Sequence, residues 1–131
     1  KLNKNHFIGK QSLSHEKSSP SNWKLRGIEI EWESLEKQYK KIGLPPDIPK
    51  TAWRTSTPLY HGNRQIGYAT SGCWSPLLKR YIALAHVKSD YAEIGSCLNF
   101  EIKIEHFRHL IPAFIVNTPF FNPDRKRFCP Q

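Results

Sequence analysis

The sequence predicts a mainly β domain, a small antiparallel barrel or sandwich of about six strands with one or two short helices. Three observations lead there. Apolar residues alternate with polar ones over short runs, as in Phe100, Ile102 and Ile104 between charged neighbours. Turn residues interrupt the chain every 8–12 positions or so. At 131 residues the chain suffices for one domain, and its 38% of hydrophobic residues makes the core small and rich in aromatics.

The elements follow in order. Residues 1–12 read as the end of a preceding unit that runs into a short helix around Lys10 to Ser14. His15 to Asn22 is a polar linker with a Ser/Pro cluster. Trp23 to Trp32 is a strand, with Gly27 marking a bulge or a close backbone approach. Ser34 to Ile42 is helical: Glu33 and Glu36 each stand four residues before a lysine, Lys37 and Lys40. Gly43 caps that helix and Leu44-Pro45-Pro46 stops it. Ala52 to Tyr60 is a strand, His61-Gly62-Asn63 a hairpin turn, and Arg64 to Ser71 its partner. Gly72 then breaks the run, and Ser75 with Pro76 opens a short helix ending at Lys79-Arg80. Tyr81 to Val87 returns as an apolar strand. Leu98 to Glu105 and Leu110 to Val116 are the last two, with Pro112 tolerable only at an edge or bulge.

No window approaches the ~20 apolar residues of a membrane span, and no apolar core follows the basic start as in a secretory leader. Cys73, Cys97 and Cys129 have no paired spacing, and an odd, sparse count fits a reducing, cytoplasmic setting. His106 and His109 lie beside Glu105, but zinc needs three or four ligands, so the segment reads as a solvated turn. Ser71, Cys73 and Ser75 lack the nucleophile elbow and a histidine in triad order. No metal site and no catalytic residue is assigned. The net charge of +9 admits single-stranded nucleic acid as a partner of another class. Yet the aromatics Tyr68, Trp74, Tyr81 and Phe100 are better placed as core or domain-interface residues. Nucleic acid is therefore not the expected partner, and binding to it should be weak and salt-sensitive.

Twelve residues between Gly67 and Val87 carry a resemblance. Gly67, Thr70, Ser71, Gly72, Ser75, Pro76, Leu78, Ile82, Ala83, Leu84, Ala85 and Val87 fit G-x-x-T-S-G-x-x-S-P-x-L-x-x-x-I-A-L-A-x-V. Phe7-Ile8-Gly9-Lys10 with Leu13 is similar to a D-F-I-G-K-x-x-L segment, with His6 in place of Asp, and Pro119-Phe120 to a P-F pair after a last strand. Together these resemble the C-terminal barrel of the glycine cleavage T-protein (aminomethyltransferase) family, with residues 1–22 as the tail of its folate-binding domain and linker and 23–131 as the barrel. The resemblance implies a six-stranded Greek-key-like barrel, and the helix near 33–46 looks like an insertion. It implies tetrahydrofolate as cofactor, bound mainly by upstream domains, and a one-carbon transfer whose orienting carboxylate lies upstream. Asp47, Asp90 and Asp124 do not match that carboxylate. The missing N-terminal folate-binding domains and an acidic lipoyl carrier protein are the implied partners. Arg54 and Arg125 fall where the family places arginines near folate, and a guanidinium fork suits a glutamyl carboxylate. The same barrel occurs in folate-dependent demethylases, dehydrogenases with a folate-binding half and folate-binding assembly factors, and the residues that separate them lie upstream. The chain is expected to be a C-terminal fragment, inactive alone, with Trp74 at an interface with the upstream domains.

Overall fold

The computed structural model describes residues 2–19 and 21–126. Six antiparallel strands close into a barrel. They are β1 (Trp23–Ile30), β2 (Thr57–His61), β3 (Arg64–Ser75), β4 (Arg80–Lys88), β5 (Cys97–Ile104) and β6 (Phe107–Val116). Around the barrel the order is β1-β4-β3-β2-β5-β6, with β6 returning to β1. Two helices accompany it, α1 (Lys10–Ser18) and α2 (Trp32–Lys41).

The two-residue period of the sequence becomes the wall of the core. In β4, Tyr81, Ala83, Ala85 and Val87 point inward and are buried, while the residues between them are half-buried. Ile28 and Ile30 of β1, Leu98 and Phe100 of β5, and Ile111, Ala113 and Ile115 of β6 complete the interior. Each large aliphatic so buried contributes about 1.5–3 kcal/mol.

α2 closes off part of one end. Leu35 is fully buried and Tyr39 nearly so, on one face of a helix that packs against β6. The Tyr39 hydroxyl donates to the Asp47 carbonyl at 3.2 Å, which straps the proline-rich segment 45–49 to the helix. Glu31 opens α2, its carboxylate accepting from the Ser34 hydroxyl. Gly43 ends it at φ 71, and the Leu44 N–H reaches back to the Tyr39 carbonyl at 3.2 Å.

Pro112 sits inside the closed barrel, where the expectation was an edge or a bulge. Its carbonyl accepts the Glu31 N–H at 2.9 Å, while the Glu31 carbonyl accepts the Leu35 N–H of the helix at 3.2 Å. The neighbour that would need an N–H from position 112 is thus already served, and proline costs no ladder bond there.

The expected helix after Ser75 does not form. β3 runs through Gly72, which pairs with Ala83, and on to Ser75, which pairs with Arg80. Four residues of turn join the strands, Lys79 at φ 53, and the Ser75 hydroxyl accepts the Leu78 N–H at 3.3 Å. The capping chemistry is local and needs no helix, and cross-strand pairing leaves no length for one. Gly72 is required by crowding: a Cβ there would stand 2.5 Å from the Trp53 ring and 2.8 Å from the Ala83 methyl.

Several boundaries also move. The strand expected from Leu110 already begins at Phe107, so His109, read as part of a solvated turn, lies in β6. The strand expected from Ala52 begins only at Thr57, with Trp53 forming a single bridge to Gly72. Trp32 opens α2 instead of ending β1, and α1 extends to Ser18 with no buried residue. The close approach expected at Gly27 is present: Phe120 and Thr118 lie where its Cβ would be, 2.7 and 2.8 Å away. The peptide bond between Thr118 and Pro119 is cis.

Candidate functional site

Arg54 and Arg125 are both exposed. Arg54 follows Trp53 on the segment leading into β2, and Arg125 lies in a single 3₁₀ turn after the barrel, Asp124–Lys126. They belong to separate segments, and among the described residues no hydrogen bond or ion pair joins them. Arg127 and Cys129 lie outside the described residues. Among the described residues, no group of three or more His, Cys, Asp or Glu converges as a metal site. No helix among them is long and apolar enough to cross a membrane.

What the fold does bring together is aromatic. At one opening of the barrel, the Trp53 indole Nε1–H donates to the Tyr81 hydroxyl at 2.9 Å. Phe100 meets both rings, with centroids 6.1 Å from Trp53 and 6.2 Å from Tyr81. Tyr81 is 4% exposed and Phe100 2%. Burial is the main cause that pushes the Tyr81 hydroxyl above the ordinary tyrosine pKa, so it holds its proton at neutral pH.

This opening exists because one seam is short. β2 and β5 share only two register pairs, Leu59 with Phe100 and Tyr60 with Asn99. Beyond Phe100 the strands part. A cleft of about 480 Å³ opens between the segment 55–58 and residues 101–103, with the three aromatic side chains among its lining. Glu101, Lys103 and Arg108 line it too. Arg108 approaches Glu101 at 3.8 Å and the Tyr60 hydroxyl donates to Glu101 at 3.2 Å.

Nothing in the sequence points to this cleft. Its residues are far apart along the chain, and Tyr81 and Phe100 read there as ordinary core positions. Only the pairing of strands sets Trp53 beside them.

A second aromatic group lies at the β3–β4 corner. Trp74 is half-buried against Trp32, ring centroids 4.9 Å apart and planes at 55°. Pro46, Ile48, Pro49 and Pro76 line a cavity of about 450 Å³ beside them. Trp74 is thus partly covered by α2 and the segment after it.

A family model described as the glycine cleavage T-protein C-terminal barrel domain matches residues 40–122. An aminomethyltransferase from Bacillus pumilus (strain SAFR-032) is 33% identical over 115 residues, covering 88% of this chain and 26% of its own length. One from Prochlorococcus marinus (strain NATL2A) is 32% identical over 117 residues, covering 89% and 26%. The crystal structure of glycine cleavage system aminomethyltransferase T from Bartonella henselae superposes with a TM-score of 0.62 at 16% identity, over 88% of this chain and 26% of that one. At that identity the likeness is one of fold. The chain spans about a quarter of the length of the curated relatives it matches.

Proposed function

The chain belongs to the glycine cleavage T-protein C-terminal barrel family, and from that premise we propose that it is the C-terminal barrel of a tetrahydrofolate-dependent aminomethyltransferase. Its role is to complete a folate site whose main cleft belongs to the upstream domains. The observation that carries this is the match over residues 40–122, together with relatives named aminomethyltransferases of whose length the match covers only 26%. The reaction is a one-carbon transfer onto folate, in which positioning the two reactants makes the step effectively unimolecular. The orienting carboxylate is supplied upstream, and no residue of this chain is assigned that part. The upstream folate-binding domains are its partners, and an acidic lipoyl carrier protein presents the one-carbon unit. The setting is the cytoplasm.

Arg54 and Arg125 are this chain's contribution to folate. Both are exposed, and each offers a planar fork that matches the glutamyl carboxylates. Tetrahydrofolate titrated onto the 131-residue chain, followed by NMR, tests the assignment. Weak binding is expected, reduced about tenfold in Arg54→Ala and in Arg125→Ala, the worth of one charge-assisted hydrogen bond. Unchanged binding in both variants removes them from the site. One-carbon transfer to tetrahydrofolate by these 131 residues alone would overturn the assignment of catalysis to the upstream domains.

A further inference from the structure

We propose that the cleft between β2 and β5 is a binding site for a small aromatic carboxylate, a molecule of one ring or two fused rings with an acidic side arm. The floor supplies the aromatic selectivity. The half-buried Trp53 ring is the face open to a guest; the buried Phe100 ring lies behind it at 6.1 Å and meets the buried Tyr81 ring at 6.2 Å, in a cleft of about 480 Å³. That volume lies in the usual range for small-molecule sites, roughly 300–1,000 Å³. Aromatic rings favour tilted and edge contacts with a guest ring, and the Trp53–Phe100 pair is already tilted, at 40°.

The polar groups supply the orientation. A tyrosine hydroxyl has one proton to give as well as lone pairs to accept with. The Tyr81 oxygen accepts the Trp53 N–H, and its own proton has no acceptor among the described residues. Tyr81 is only 4% exposed, and it lines the cleft. A donor held in so dry a place without an acceptor favours a ligand oxygen. At the rim, Glu101 is engaged by Tyr60 and Arg108, whereas Lys103 has no acidic partner among the described residues. The charged residues of the lining, Lys103, Arg108 and Glu101, sum to +1, which selects an anion. β5 adds backbone groups on its β2 side, where it has register partners only at Asn99 and Phe100.

The site does not depend on the folate reading. Neither Arg54 nor Arg125 lines the cleft, so their variants test one proposal and those of Lys103 and Tyr81 the other. The experiment titrates the 131-residue chain with phenylacetate and, separately, with phenylacetamide, which keeps the ring and loses the charge. The readout is the Trp53 indole N–H resonance, with the exposed Trp23 as internal control. The expected result is a saturable Trp53 shift for phenylacetate, with a dissociation constant on the order of 1 mM or tighter, and no shift at Trp23. Phenylacetamide should bind about tenfold more weakly, and Lys103→Gln and Tyr81→Phe should each weaken phenylacetate by about three- to tenfold. Lys103 is exposed, so its variant keeps the fold, and the two-ligand comparison needs no variant. No saturable shift up to about 10 mM, or equal affinity for acid and amide, overturns the proposal.

Discussion

Two glycines show how single atoms set this barrel. A Cβ on Gly67 would collide with the His86 carbonyl oxygen and stand 3.1 Å from the Val87 Cα, both backbone atoms of β4. Nothing there can turn aside without moving the strand. At Gly27 the obstacles are side chains, the Phe120 ring and the Thr118 methyl, which can swing away. Gly67→Ala is therefore expected to destabilise by about 3 kcal/mol, the upper end for forced overpacking, and Gly27→Ala by about 1 kcal/mol. Urea unfolding of the two variants checks the order. If Gly27→Ala proves the more damaging, the packing of segment 118–120 on β1 is tighter than this account allows.

The two helices differ in what they do for the fold. α1 buries no residue, and its Leu13 is 47% exposed. α2 buries Leu35 completely, and its last turn is tied to segment 45–49 through Tyr39. Leu35→Ala should cost about 2–5 kcal/mol, whereas Leu13→Ala should stay within about 0.5 kcal/mol. Denaturant midpoints measured side by side decide this. A large loss from Leu13→Ala would mean that α1 is packed on the barrel. The contrast was readable in part: Ser34 to Ile42 has charge pairs four apart, a glycine cap and a proline stop, all of which act within the helix itself. The proposed helix at Ser75 to Arg80 had a capping serine and a proline, but too few residues to outweigh the pairing of Ser75 with Arg80.

At the scale of the whole molecule, charge governs what the barrel meets. A formal net charge of +9 on 131 residues draws polyanions at long range. Binding to single-stranded DNA should be measurable at ~0.02 M salt and fall by about tenfold or more by ~0.15 M, as counterion release requires. Fluorescence anisotropy over that salt range gives the slope. Sub-micromolar affinity that persists at ~0.15 M and is lost on replacing Trp23 or Tyr68, whose rings lie 6.0 Å apart on the outer surface, would instead make the barrel a base-stacking platform.

The sequence by itself determined the β class, the succession of strands along the chain, the hairpin at Gly62-Asn63, the capped helix before Pro45 and the family. These rest on short-range physics: alternation, turn and cap chemistry, and a signature whose residues are close along the chain. The tertiary structure decided the rest. It closed the sheet, carried β3 past Gly72, placed Pro112 where no N–H is missed, and set Trp53 beside Tyr81 and Phe100. Each of these depends on which strand lies next to which, and on how far each pair stays in register. The cleft at the β2–β5 seam is the plainest case, because it arises from two strands that pair over only two positions and then diverge.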